Sequence, residues 1–380
     1  MLIFFVGWYK PDIWVLVYIS NLILTNFKNY ASQQVRFNAG LNLLFGNNGS
    51  GKTNILDAIN YLALTKSHFV PQDKMAVKYD TDFFRLEGKF EYGSSSLNVI
   101  LKYQTGQKKI EVNDRPILKQ GDHVGAIGIV FIAPDDLEII DGLSALRRKY
   151  MDTSLAQSDH EYLVQLGTYK KLLEQRNSYL KQAEVPDAIY LQVLNEKMAP
   201  CAHYIYQQRK KFCEVLVPTF INYYAEISDH KEKVDIRYIT DLDKFDFLEL
   251  MFESERIDLR NRITNKGIHR DDLAFTIFDH DARYTASQGQ KKTFLVGLFL
   301  AQADFLCHTM ASDPILLLDD VFDKFDQNRM HYLLATLHSE KKRQIILTDT
   351  SKDRLSTIIK SVSSQANYLE VKNATVLTID

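Results

Sequence analysis

Apolar and polar positions alternate early in the chain as half-buried strands require. Leu22-Ile23-Leu24, Val35-Arg36-Phe37 and the unbroken run Leu41-Asn42-Leu43-Leu44-Phe45 predict strands. A helical period takes over after Lys52, where Ile55, Ala58, Ile59 and Leu62 share a face. Strand patterns return over 83–90 and 97–101, and residues 109–112 turn through Asn113-Asp114 into Arg115-Pro116-Ile117, a predicted hairpin. Residues 127–132 read as a buried strand that stops at Ala133-Pro134.

From Asp135 to about Leu259 glycine almost disappears and helical spacing dominates, as in Tyr162, Leu166, Tyr169 and Leu173. Pro186 and Pro218 punctuate the stretch, and no a/d heptad is sustained over many turns, so a long coiled-coil arm is not expected. Strand character resumes over 273–277. Ser287-Gln288-Gly289-Gln290 then opens an apolar helix, followed by Pro314-Ile315-Leu316-Leu317-Leu318-Asp319-Asp320, by 344–349, and by a closing hairpin near 368–377. The pattern predicts an α/β fold, a mixed sheet with an inserted helical lobe. Its divisions fall at 1–134, 135–259 and 260–380, with 1–17 read as an atypical apolar extension. No repeat or low-complexity tract interrupts it.

Composition narrows the class. With 380 residues, 46% hydrophobic and 25% charged, the chain has room for a large head and a lobe. A net charge of -2 means that nucleic-acid contact must come from local patches. Cys201, Cys213 and Cys307 lack metal-type spacing and read as buried thiols of a reducing compartment. The histidines form no zinc pattern with them. The apolar runs before residue 20 are split by Lys10-Pro11-Asp12, and no other segment is expected to span a bilayer. A cytoplasmic protein is expected.

The chemistry concentrates at Gly46-Asn47-Asn48-Gly49-Ser50-Gly51-Lys52-Thr53, and Asn54, in the helix start, is counted with them as a nucleotide contact. A strand, a glycine loop and a helix start are the context a phosphate-binding loop needs. Glycines let successive N–H groups turn inward around an anion, and the helix adds the positive end of its dipole. Lys52 would reach the β- and γ-phosphates of ATP, and the Thr53 hydroxyl would hold Mg²⁺. Four apolar residues, 315–318, make a central parallel strand with two carboxylates at its C-terminal end, where such sheets place ligands. Asp319 would ligate Mg²⁺ directly or through water; Asp320 would orient and deprotonate the attacking water.

Ser287-Gln288-Gly289-Gln290 reads as a capped helix N-terminus and also resembles the signature motif of ABC-type ATPases. In that family the motif addresses the γ-phosphate of ATP held by another subunit. The order of phosphate loop, helical insertion, signature and paired aspartates is shared with SMC-like DNA-maintenance ATPases. The resemblance narrows at Leu22-Ile23-Leu24-Thr25-Asn26-Phe27-Lys28-Asn29-Tyr30, at Pro134-Asp135-Asp136-Leu137-Glu138-Ile139-Ile140, at Arg147-Arg148-Lys149-Tyr150-Met151-Asp152 and at His269-Arg270-Asp271-Asp272. These blocks resemble the RecF family of recombination mediators from about Tyr18 to the C-terminus. Departures stand at Leu143-Ser144, Lys291-Lys292 and Asp323-Lys324-Phe325-Asp326, the last where a D-loop would contact the opposite subunit; only Asp326, Arg329 and Leu333 keep the pattern there.

The resemblance implies an ATP-dependent homodimer on double-stranded DNA near single-strand gaps, slow hydrolysis as a timer, and RecR and RecO as partners in recombinase loading. It adds Lys28 to the nucleotide contacts. Duplex DNA would need phosphate contacts from basic clusters. Arg147, Arg148, Lys149, Arg209, Lys210 and Lys211 are the candidates; Lys170-Lys171 and Lys341-Lys342-Arg343 are further clusters, and any of them also reads as a solvated face. An SMC-like structural tether, an OLD-type ATPase and a transporter ATPase are the rival readings.

Overall fold

The computed structural model describes residues 15–182, 187–310, 312–321, 343–351 and 366–379, together with 332, 333, 336 and 359. Residues 1–14 of the 1–17 extension, Pro186, Asp323 to Asp326, Arg329, Lys341 and Lys342 lie outside the described residues. The chain divides into two compact units, one formed by the segments up to Asp136 and from Gln302, the other by Leu137–Ala301.

In the first unit, β1 (Val17–Phe27), β2 (Tyr30–Arg36) and β3 (Leu41–Phe45) precede α1 (Lys52–Leu64). Then come β4 (Phe83–Tyr92), β5 (Ser95–Gln104), β6 (Gln107–Val112), β7 (Arg115–Pro116) and β8 (Ile129–Ile132). The second unit holds α2 (Glu138–Asp141), α3 (Ser144–Ser158), α4 (His160–Gln182), α5 (Ala188–Ile227), β9 (Val234–Ile239), α6 (Phe247–Asn261), β10 (Asp272–Ile277), β11 (His280–Asp281) and α7 (Ala282–Thr285). The helix α8 (Gln288–Met310) belongs to it as far as Ala301. The first unit closes with β12 (Ile315–Leu318), β13 (Ile345–Asp349), β14 (Asn367–Lys372) and β15 (Thr375–Ile379).

Two six-stranded sheets build the first unit. One is antiparallel, in the order β2-β1-β4-β5-β6-β7; the other runs β15-β14-β3-β13-β12-β8 and is parallel apart from β15. The parallel strands β3, β8, β12 and β13 are buried along their whole length, as strands covered on both faces must be. The predicted 109–117 hairpin forms, with Asn113 and Asp114 both at positive φ, the conformation a two-residue turn of this hand demands. Helix α1 is buried on nearly every side, not on one face alone. Its Tyr61 ring meets Phe27 and Phe84 edge-on at 6.2 and 5.5 Å. Each aliphatic side chain sealed here contributes about 1.5–3 kcal/mol of burial. A buried amide ties the sheets together: Gln344 donates to Ile19 O and Asn38 O and accepts from the Ile19 N–H. These contacts brace the N-terminal ends of β3 and β13, opposite the end that carries the acidic pair.

The second unit is helical with a three-stranded sheet, β11-β10-β9. The strand β9 lies within the stretch expected to be helical. Pro218, expected to punctuate helices, lies inside the 40-residue α5, as does Pro200. Flanking residues Leu216 and Phe220 are fully buried, and such packing offsets the lost backbone bond. Among the described residues one helix, α8, is long and apolar enough to cross a bilayer, contrary to the expectation of no such segment; most of it is buried in protein, as in a core helix.

Candidate functional site

The loop between β3 and α1 is shaped by its glycines. Gly46 has φ +151°, and a Cβ there would stand 2.1 Å from Val371 O. Gly51 has φ +114°, and a Cβ would press on Tyr30 Oη at 2.7 Å. No other residue type meets both demands. Lys52 arches back over this loop, its Nζ donating to Gly46 O at 2.7 Å and Asn47 O at 3.1 Å. From the far side, Tyr30 Oη donates to Gly51 O, and Asn54 Nδ2 donates to Asn29 Oδ1. Ser50 Oγ is buried with no hydrogen-bond partner among the described residues.

The strand β12 delivers the acidic pair. Thr53 Oγ1 lies 3.0 and 2.9 Å from the two oxygens of Asp319. Thr348 Oγ1 donates to Asp319 Oδ1 at 2.8 Å, and the Asp320 N–H donates to Thr348 Oγ1 at 2.9 Å. Asp320 itself adopts φ +50°, unusual for a residue with a side chain. A cavity of about 180 Å³ opens here, bounded by loop residues between Asn48 and Asn54 and by Asp320. Burial lowers the Lys52 pKa, against the attraction of Asp320, Asp319 and Asp349. Burial raises that of Asp319, against hydrogen bonds from Thr348 and Thr53, while the neighbouring Asp320 charge raises it further. A buried ammonium lining one small cavity, with the buried Asp319 carboxylate held against Thr53 of its wall, suits a charged ligand that brings both anions and a cation.

Signature residues Ser287, Gln288, Gly289 and Gln290 sit in the second unit, at the start of α8. The Gln290 N–H donates to Ser287 Oγ at 3.3 Å, the Ser287 N–H to Gln290 Oε1 at 2.7 Å, and Gln290 Nε2 to Glu232 at 3.1 Å. This is a capping box. Ser287 and Gln288 remain exposed.

The family model for the RecF/RecN/SMC N-terminal domain matches residues 18–368. A DNA replication and repair protein RecF from Flavobacterium johnsoniae is 36% identical over 349 residues, covering 91% of this chain and 97% of its own. The chain belongs to the RecF family. A solved structure of the recombination mediator RecF with ATP is similar at TM-score 0.87 and 29% identity, covering 97% of this chain and 99% of that one. The Smc head domain of Pyrococcus furiosus, bound to the C-terminal domain of ScpA, shares the fold at TM-score 0.57 and 15% identity over 96% of each chain. The architecture is the mixed α/β fold of ABC-type ATPases, as expected, and RecF family members are DNA replication and repair proteins.

Several expected contacts are corrected. Lys28 does not line the cavity: its ammonium pairs with the buried Asp57 at 2.7 Å and lies over the Phe69 ring at 5.1 Å. Arg147 and Arg209 do not face DNA, because both are buried. Arg147 pairs with Asp272, and Arg209 with Asp152 and Asp271, at 2.5–2.9 Å. Arg148 is half-buried and donates to Asp271 O and Ser144 Oγ. Lys149, Lys210 and Lys211 are exposed, Lys210 in an ion pair with Asp243. Arg343 is buried between Asp304 and Asp313. Sequence reasoning missed Asn29, Tyr30 and Thr348 at the loop. Asn29-Tyr30 stood within a block already singled out, whereas a lone threonine ending an apolar strand carries no signal of its own.

Proposed function

We propose that this chain is a RecF-type ATPase that binds ATP with Mg²⁺ at 46–53 and closes as a homodimer on double-stranded DNA near single-strand gaps. The observation that carries the reading is the bidentate approach of Thr53 to Asp319 beside a lysine folded over its own glycine loop. The residues fit the group. Two loop positions exclude any Cβ, Ser50 Oγ is left for a ligand, and a hydroxyl and carboxylate converge as a hard-cation donor set. Backbone N–H groups of the loop would hold phosphate oxygens and Lys52 the terminal phosphates; Thr53 and Asp319 would hold Mg²⁺, and Asp320 would orient and deprotonate water. Mg²⁺, when bound, would neutralise phosphate charge.

Ser287, Gln288, Gly289 and Gln290 are read as completing the partner subunit's site, since a helix N-terminus with exposed donors suits a γ-phosphate. Residues 135–259 are read as a lobe inserted between two halves of the head. Hydrolysis is slow, DNA-stimulated and a timer. The protein works in the cytoplasm with RecR and RecO, assisting recombinase loading. With Arg147 and Arg209 buried, Lys149 and Lys211 are the DNA contacts retained from the sequence.

Light scattering with and without ATP and gapped duplex tests this. The wild-type chain should become dimeric only with ATP, and Lys52→Ala should stay monomeric and lose stable DNA binding. An ATP-indifferent monomer with unchanged DNA affinity would falsify the reading.

A further inference from the structure

Thr348 is fully buried at the edge of the acidic pair. The β12–β13 register ends with Leu318 opposite Leu347, so the ladder stops one residue before Asp319. Beyond that point the Thr348 side chain takes over. Its single proton goes to Asp319 Oδ1 at 2.8 Å, and its oxygen accepts the Asp320 N–H at 2.9 Å. That second bond matters because Asp320 is turned into the left-handed region, φ +50°, which is less favourable for a residue with a Cβ, and a bond to its N–H helps hold the turn. One hydroxyl therefore fixes both carboxylates: the rotamer of the first and the backbone turn of the second. Thr53 meets the same Asp319 carboxylate.

We propose that Thr348 is a positioning residue of the Mg²⁺–nucleotide site, acting through Asp319 and Asp320. This rests on the reading of 46–53 as an Mg²⁺-ATP site. Valine has nearly the same shape but neither donates nor accepts, so Thr348→Val removes both bonds at constant packing. Serine keeps them.

The test is equilibrium binding of a fluorescent ATP analogue to the full chain, with free Mg²⁺ varied and a metal-free arm in EDTA. Partners of metal ligands typically control affinity by about 10–100-fold. Thr348→Val should raise the Mg²⁺ concentration at half-saturation about 10-fold or more, while metal-free affinity stays within about 2-fold. Thr348→Ser should return to within about 3-fold of wild type. Wild-type Mg²⁺ dependence in Thr348→Val overturns the proposal. So does Thr348→Ser as defective as valine, or equal losses with and without Mg²⁺, which mark a packing defect. If Thr348→Val does not fold by circular dichroism, Thr348→Cys, with a weak donor in a similar volume, should give an intermediate shift, and wild-type behaviour there overturns the proposal equally. A wild-type chain that binds no nucleotide at any Mg²⁺ concentration overturns the site reading itself, and this proposal with it.

Discussion

The two units solve opposite problems. In the first, apolar strands fill the core, and beside the largely buried Lys28–Asp57 and Arg343–Asp313 pairs, polar groups gather at the strand ends around a loop whose glycines make room for something else. In the second, the interior itself is charged. Arg147, Arg176 and Arg209 are all sealed from solvent; Arg209 alone engages Asp152, Asp271, Tyr162 and Ile268 O. Arg176 bonds Asn195, Asp258 and Thr264. The difference teaches where charge is structural and where it is chemical. A buried ion pair adds little net stability over an apolar core, yet losing one partner is expensive because the other is stranded. A half-dry site at a strand end tolerates substitution of its charges far better in stability than in ligand binding.

The largest effect expected from this contrast is at Arg209. Arg209→Ala leaves the buried Asp271 without its cation and Asp152 with only the longer Lys170 contact, and should cost about 3–5 kcal/mol in urea denaturation. Lys52→Ala, in the first unit, should cost less than about 1 kcal/mol, because its partners are loop carbonyls that water can reach. Equal losses in the two variants would erase the distinction. So would a mild Arg209→Ala that weakened DNA binding in parallel with Lys149→Ala, since that would return Arg209 to the surface.

The same contrast explains what the sequence could reveal. The phosphate loop was legible because its residues are consecutive and each glycine answers a local backbone demand. The central strand with Asp319-Asp320 was legible because an unbroken apolar run has few other uses. The arginines were not, because their partners are remote: Asp272 lies 125 residues from Arg147. A basic cluster looks the same in one dimension whether it binds phosphate or seals a core. Pro218 misled because local propensity gave way to packing along α5. The strand β9 was readable in principle, since Val234, Ile236 and Tyr238 alternate with Asp235 and Arg237, but the helical pattern around it prevailed.

A smaller effect should appear with acid. His269, in the second unit, is held neutral: Nδ1 accepts from Tyr169 Oη at 2.9 Å, and Nε2–H donates to Thr264 O at 3.0 Å. Burial lowers its pKa from 6.5 to about 4. The unfolded chain therefore takes up this proton first as pH falls, so stability is fully present above about 6.5 and is lost toward 4. Between pH 7 and pH 5 the group should account for about 1–2 kcal/mol. His123 in the first unit, also pushed down by burial and bonded to Leu62 O, acts in the same direction. Urea midpoints at the two pH values should differ less in His269→Gln than in wild type. An unchanged difference would leave His123 and the other titrating groups as the source of the acid sensitivity.

The smallest effect falls where structural and chemical use of a polar group overlap. Ser287 caps α8 through Gln290, and the same hydroxyl is proposed to meet a partner's γ-phosphate. Ser287→Ala removes the cap and should cost about 1 kcal/mol at most, because the site is exposed and the 3.3 Å bond is long. It also weakens any trans contact, so it cannot tell the two uses apart. Ser287→Asp can. Aspartate caps as well as serine and adds a charge that the helix dipole welcomes, so thermal stability should equal or exceed wild type. The same charge repels a phosphate, and ATP-driven dimerisation should fall by 10-fold or more in concentration, roughly the cost of one close like-charge pair. If Ser287→Asp melts like wild type and still dimerises with ATP at wild-type concentration, Ser287 is a cap and nothing more.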